Sequence, residues 1–194
     1  MAGRPKIYDE TDAIRKATTI FWKKGYEASS TEDLLAAMGI GKGSFYLHFK
    51  DGKRELFKRS LDLFSVEAMK RFNDRLSGAD DEIKFLKEYF MSLADSTAEQ
   101  RQKGCYLGNA IVEMSNIDPR LRAHAAALMD RLEQAFRNII KKAQASNRIK
   151  NRTDARLLAK YLINLRNGIF VTMRSENNKE DLRALIKQGL EIIQ

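Results

Sequence analysis

Apolar residues along this chain recur at intervals of three and four, the spacing that lines one face of an α-helix. Ile14, Ala17 and Phe21 open the series. Phe57, Leu61, Phe64, Ala68, Phe72 and Leu76 carry it on until Ser77-Gly78 interrupts. Ile83, Leu86, Phe90 and Leu93 form a third stripe. Leu121, Ala125, Leu128, Leu132, Phe136 and Ile139 form a long fourth, behind Pro119, a residue suited to a first helical turn. Leu158, Leu162, Leu165 and Ile169, then Leu182, Ile186, Leu190 and Ile193, complete the set. No stretch alternates with the period of two that a half-buried strand requires. Pro5 and Pro119 are the only prolines, so little in the chain opposes helix. The prediction is an all-α fold in which each stripe buries one face against its neighbours.

The interruptions are as informative as the stripes. Gly25 is placed to end the first helix, and Ser30-Thr31-Glu32-Asp33 offers a capping side chain with an acid three residues on. A short helix from Thr31 to Met38 then meets Gly39-Ile40-Gly41, and a second short helix begins at Lys42 or Gly43. Gly39 can take the left-handed conformation that a tight turn between two helices demands. Leu34, Leu35, Ala37 and Ile40 are the apolar positions that would set the crossing of the pair. Phe45 and Phe49, four apart, would anchor one side of the second helix. Its other side would present Lys42, Gly43, Ser44, Tyr46 and His48 to solvent. This is the plan of a helix-turn-helix reading head.

The exposed set suits duplex DNA. Lys42, at the helix start, would reach a base edge or a phosphate, Gly43 would let the backbone approach closely, and Ser44 would hydrogen-bond to either. Tyr46 and His48 would donate to phosphate oxygens. Lys53 would add charge beside helix N-terminal amides. Plainer roles compete: Tyr46 as a cap on the head's core, His48 as a carbonyl-bonding residue at a helix end. Lys16, Lys23 and Lys24 read as a solvated face. Arg4 and Lys6 could form a loose arm in an adjacent groove.

Composition bounds the rest. The 194 residues are 43% hydrophobic and 31% charged, ordinary for a protein with a real core. No apolar run approaches the roughly 18–20 residues of a membrane span, and no signal-peptide core follows Met1. A single cysteine, Cys105, excludes an intramolecular disulfide and fits a reducing compartment. A cytoplasmic protein without membrane contact is expected. The net charge of +9 favours a polyanionic partner, yet it does not locate one. Residues 1–53 hold 9 Lys/Arg against 7 Asp/Glu, residues 54–140 hold 14 against 14, and residues 141–194 hold 12 against 5.

Catalysis finds no support. His48 and His124 are the only histidines, and neither has metal-ligand spacing with Cys105. Glu113 and Asp118 make no recognisable acid/base pair, and no phosphate loop or nucleophile motif occurs. No cofactor, metal or enzymatic activity is expected.

The string GIGKGSFYLHFKDGKRELF and the preceding TIFWKKGYEASSTEDL resemble the DNA-binding region of the TetR/AcrR family, over roughly Ile14 to Phe57. The resemblance implies base or phosphate contacts from Lys42, Ser44, Tyr46 and His48, and a phosphate contact from Thr31. Two departures stand out. Gly41 replaces the usual Ser or Thr, removing a side-chain cap, and the segment Phe49-Lys50-Asp51-Gly52-Lys53 is one residue longer than the family's spacing.

The family plan places a DNA-binding domain at 1–53 and a ligand-binding, dimerising body at 54–194. Lys103 to Asn109 resembles a pattern of one branch, opening a helix along the effector chamber. Tyr89, Phe90, Cys105, Tyr106, Met114, Phe136 and Phe170 are candidate contacts to a small-molecule effector, each with plain core as its alternative. Cys105 is either an inert buried thiol or, activated by a helix N-terminus and Lys103, a sensor of oxidants or electrophiles. The last two stripes correspond to the family's isologous homodimer interface, where Gly168 and Gly189 would allow close approach. The expected function is a ligand-responsive repressor that binds double-stranded, near-palindromic operator DNA. An activator or architectural factor of the same fold, or a helical ligand carrier without DNA, are the alternatives.

Overall fold

A computed structural model describes residues 9–175 and 178–194. The arm expected at Arg4 and Lys6 lies outside them. Helix α1 (Glu10–Lys24) starts at Asp9, whose carboxylate accepts the Asp12 N–H, and stops at Gly25. α2 (Thr31–Met38) starts in a reciprocal capping box between Ser30 and Asp33. Gly39 follows at φ 69°, a left-handed residue that turns the chain towards α3 (Lys42–His48). Gly41 precedes α3 and supplies no capping side chain, as its identity dictates. Before α4 (Gly52–Ser77) the chain turns, with the Gly52 N–H donating to the Phe49 carbonyl at 2.9 Å and Gly52 itself at a φ of 56°.

The body continues with α5 (Glu82–Met91), a 3₁₀ turn at Ser92–Asp95, α6 (Ala98–Lys103) and α7 (Tyr106–Met114). Then come α8 (Pro119–Ala145), α9 (Ala155–Ser175), α10 (Lys179–Leu190) and a closing 3₁₀ turn. No strand occurs among the described residues, and no described helix is long and apolar enough to cross a membrane. The apolar stripes and the helices largely coincide, but Ile193 falls in the closing 3₁₀ turn and α7 matches no stripe. Leu93 falls in the 3₁₀ turn after α5. α6 has no stripe and no buried residue; a capping box between Thr97 and Gln100 holds its start.

The buried side chains form two clusters. One joins α5, the second half of α8, α9 and α10 around Phe72, Phe90, Phe136 and Leu162. The other joins the head to the body: Phe21, Leu34, Phe45, Phe49 and Phe57 pack with Tyr106, Met114, Leu121 and Leu128. α7 and the first half of α8 therefore share an apolar core with the reading head. Phe45 and Phe49 are each 0% exposed, so truncating either to alanine would cost about 3–5 kcal/mol. Gly189 brings α10 against α9 within the chain: a Cβ there would lie 2.7 Å from Leu165. The close approach expected between protomers at Gly189 is thus already used inside one. Gly168 faces open space.

Ion pairs reinforce the junction. Arg54 in the first turn of α4 donates to Asp118 at 2.6 Å, while the other Asp118 oxygen caps α8 through the Arg120 and Leu121 N–H groups. Arg54, and then those amides, hold the Asp118 carboxyl below its ordinary value of 3.8. A depressed carboxyl pKa contributes stability that is present above the unfolded value and lost as pH falls below it. Asp118→Asn keeps a capping oxygen and removes the charge. Its melting temperature is expected to lie below that of the parent at pH 7, the two converging as pH falls through 3.8. A gap that stays constant with pH would refute this role for the pair.

Candidate nucleic-acid interface and the cavities behind it

α3 is oriented by its buried side. With Phe45 and Phe49 sunk in the core, Lys42, Gly43, Tyr46 and Leu47 are left exposed on one arc. Tyr46 is 48% exposed and stands edge-on to the Phe45 ring, and Leu47 is 71% exposed. Ser44 and His48 sit half-buried on the flank of this arc, and Lys50 is exposed just beyond it. Thr31 lies half-buried at the start of α2. No acidic residue interrupts the chain between Leu34 and Lys50. The face is therefore cationic and hydrogen-bonding, with one apolar projection.

Two of the selected residues are engaged elsewhere. Lys53 turns inward: its ammonium donates to the carbonyls of Tyr26 and Ser29 at 3.0 and 3.1 Å and lies 4.4 Å from the Tyr26 ring centre. In this DNA-free arrangement the Lys53 ammonium closes the loop between α1 and α2 instead of facing solvent with α3. His48 has its Nδ1 3.6 Å from the Glu10 carboxylate, which also pairs with Arg59. Among the solvated lysines, Lys16 pairs with Asp12 and Lys24 with Asp33, both at 2.7 Å.

Behind the head lie two cavities that share Cys105 and Trp22. The larger, about 570 Å³, runs between α1, α7 and α9, with Tyr106, Glu113, Asn167, Phe170 and Arg174 in its wall. The smaller, about 300 Å³, is lined by α1, α4, α5, α7, α8 and α9. Tyr89, Cys105, Tyr106 and Phe170 thus line cavities as selected. Phe90, Met114 and Phe136 line neither: each is 0% exposed and packed within the apolar clusters. The Tyr106 hydroxyl is 2.7 Å from that of Ser60, and burial pushes its pKa up.

Cys105 is buried, and it caps α7 by accepting the Gly108 N–H at 3.3 Å. The cation beside it is Arg166, whose Nη1 donates to Sγ at 3.2 Å and whose Nε donates to the Tyr89 hydroxyl at 2.8 Å. Burial acts to lower the Arg166 pKa, but Tyr89 and Cys105 outweigh it and keep the group charged. Lys103, expected beside the thiol, points to Glu99 at 2.7 Å. Arg166, Glu113 and Trp22 were not singled out as site residues by pattern, since each matters through neighbours distant in the chain. Glu113 reaches from α7 to accept the Tyr26 and Glu27 N–H groups, both at 2.9 Å. Trp22 donates its indole N–H to the Lys103 and Gly104 carbonyls at 3.1 and 3.2 Å.

Residues 13–59 match the model of bacterial regulatory proteins of the tetR family, and residues 83–188 match the tetracyclin repressor-like C-terminal domain. The transcriptional repressor DhaR of Mycobacterium sp. (strain GP1) is 28% identical, the alignment covering 87% of this chain and 84% of DhaR. An uncharacterized HTH-type regulator from the lacX 3' region of Lactococcus lactis is 31% identical over 71% of this chain and 69% of its own. Among solved structures, a cysteine mutant of the regulator CifR complexed with 26-bp operator DNA superposes with a TM-score of 0.84. It is 24% identical and covers 99% of this chain and 100% of its own. With both parts of the chain matched in order, this protein belongs to the tetR family of bacterial regulatory proteins.

Proposed function

We propose that the protein is a cytoplasmic, ligand-responsive repressor that binds a near-palindromic operator as a homodimer. The observation that carries this is the arc of α3, with Lys42, Gly43 and Tyr46 exposed opposite the buried Phe45 and Phe49. A helix of this kind fits the major groove, about 12 Å wide, with its N-terminal residues towards base edges. Lys42 and Ser44 reach bases or phosphates, Tyr46 donates to a phosphate oxygen, and Leu47 meets a thymine methyl. Thr31 and the flanking His48 hold the backbone, with Lys50 adding charge. The division of labour places the reading head in 1–53 and the ligand-binding and dimerising body in 54–194.

The dimer face is assigned to α9 and α10. Leu157, Tyr161 and Val171 of α9 and Leu185 of α10 are exposed large hydrophobics, and Gly168 lies open between them in the α9 register. Pairing these faces about a twofold axis sets two heads on successive turns of the groove, roughly 34–36 Å apart. A ligand favouring another head separation then lowers operator affinity by shifting the population of states.

The connection from body to head runs through α7. Its start forms the cavity wall at Cys105, and its Glu113 clamps the loop before α2. Trp22 and the Arg54–Asp118 pair add two further ties.

Four measurements test the scheme. Duplexes selected from genomic fragments should bind with a steep inverse dependence on salt; affinity that ignores salt would favour the ligand-carrier alternative. Tyr46→Ala should weaken operator binding roughly tenfold, the loss of one charge-assisted hydrogen bond, with dimerisation unchanged. Lys42→Ala should reduce the slope of log K against log salt by about one. For the clamp, Glu113→Ala should lower hydrogen-exchange protection at the Tyr26 and Glu27 amides by about tenfold or more. Unchanged protection there would remove Glu113 from the coupling route.

A further inference from the structure

The smaller cavity sits where the two apolar clusters meet. Trp22, Phe64, Leu128 and Met129 wall it from the head's cluster, and Phe72 and Leu132 from the distal one. Its lining contains Arg71, Arg75 and Arg166 and not one carboxylate. Arg71 and Arg75 are exposed and lean on Glu67 and the Phe85 ring, but Arg166 has no ion-pair partner among the described residues. A guanidinium desolvated without an acid is costly. Its Nε and Nη1 are occupied by Tyr89 and Cys105 and its face by Phe170, 4.5 Å from the ring centre, while Nη2 makes no hydrogen bond to a described residue. Ser65 of α4 belongs to the same lining. Ser65 is 2% exposed and its hydroxyl has no hydrogen-bond partner among the described residues. Buried polar groups are ordinarily paired, so an unpaired Ser65 hydroxyl and an Arg166 guanidinium without an acid in one lining call for an acceptor.

We propose that this cavity takes a small organic anion, an aromatic or aliphatic body carrying one carboxylate. The carboxylate docks on Arg166 and accepts from Ser65, and the body fills the space between Phe64, Phe72, Leu128 and Met129. A volume of about 300 Å³ stands at the lower end for ligand sites and limits the guest to a small molecule. The anion supplies the charge that Arg166 lacks, and its selectivity follows: a neutral isostere leaves the guanidinium unpaired. The inference rests on the reading of the body as an effector site, and it names that effector's class. Occupancy bears on Cys105 and Trp22, the two residues that the cavity shares with the contacts to the head.

The test is calorimetric titration of the full-length, DNA-free protein with monocarboxylates from benzoate through 2-naphthoate to decanoate, each paired with its primary amide. At least one acid is expected to bind about tenfold or more tightly than its amide. Arg166→Met should abolish that preference and leave amide affinity unchanged, with Arg166→Lys restoring part of it. No acid outbinding its amide, or a preference that survives Arg166→Met, overturns the proposal. Should Arg166→Met fail to fold, Ser65→Ala decides: acid affinity is expected to fall roughly three- to tenfold at an unchanged melting temperature, and an unchanged affinity overturns the proposed donor pair. Operator release is read separately. An acid that binds the protein but leaves DNA bound supports the anion site and counts against the regulatory reading alone.

Discussion

The junction between head and body depends on apolar contact between α1, α4 and α7. Phe21 and Phe57 meet edge to face at 4.9 Å, Phe57 meets Tyr106 at 6.1 Å, and Trp22 lies against both Phe64 and Tyr106. These rings come from three helices, and Tyr106 is drawn from a position far along the chain. A reading head of three short helices has little apolar surface of its own to bury. Sharing a cluster with α7 and α8 supplies what it lacks, and makes the head's orientation depend on the body.

That dependence gives control its physical basis. A head tethered only by a flexible linker would be indifferent to events in the body. Here the loop before α2 is held by the Glu113 carboxylate, and the end of α1 by an indole hydrogen bond to the chain beside Cys105. Both attachments lead to the two ends of α7, a nine-residue helix that also walls the cavities. Close packing does not deform continuously, so a guest that repositions α7 moves its attachments with it. The smaller cavity lies at the seam between the two apolar clusters, the place where relative movement disrupts the least packing.

Electrostatics divide between the two ends of the molecule. The exposed face of α3 is nearly free of acids, and Glu10 on α1 is paired with Arg59. The excess of positive charge, concentrated in residues 141–194, is distant in sequence from that surface. Part of it contributes to the body's internal structure. Arg174 ties α9 to the Gln102 and Lys103 carbonyls, and Arg183 and Lys179 hold Asp95. Arg166 is the exception, a cation held by a phenol, a thiol and a ring.

Local interactions were legible in the sequence because their causes lie within a few residues. The capping box at Ser30, the left-handed Gly39, the missing cap at Gly41 and the anchoring pair Phe45 and Phe49 each follow from neighbours in the chain. The helical stripes followed from a period of 3.6, and α6 escaped because a helix held by caps leaves no apolar rhythm. What only the tertiary structure decided was which faces meet. Periodicity says that Phe90, Met114 and Phe136 are buried, but whether a buried ring borders empty space depends on helices from elsewhere in the chain. Lys53 turned inward because carbonyls of the loop after α1 lie within its reach, and Arg166 entered a chamber whose walls come from six helices. Sequence spacing encodes one helix at a time; pairing across helices is fixed by packing, and the site is made of such pairings.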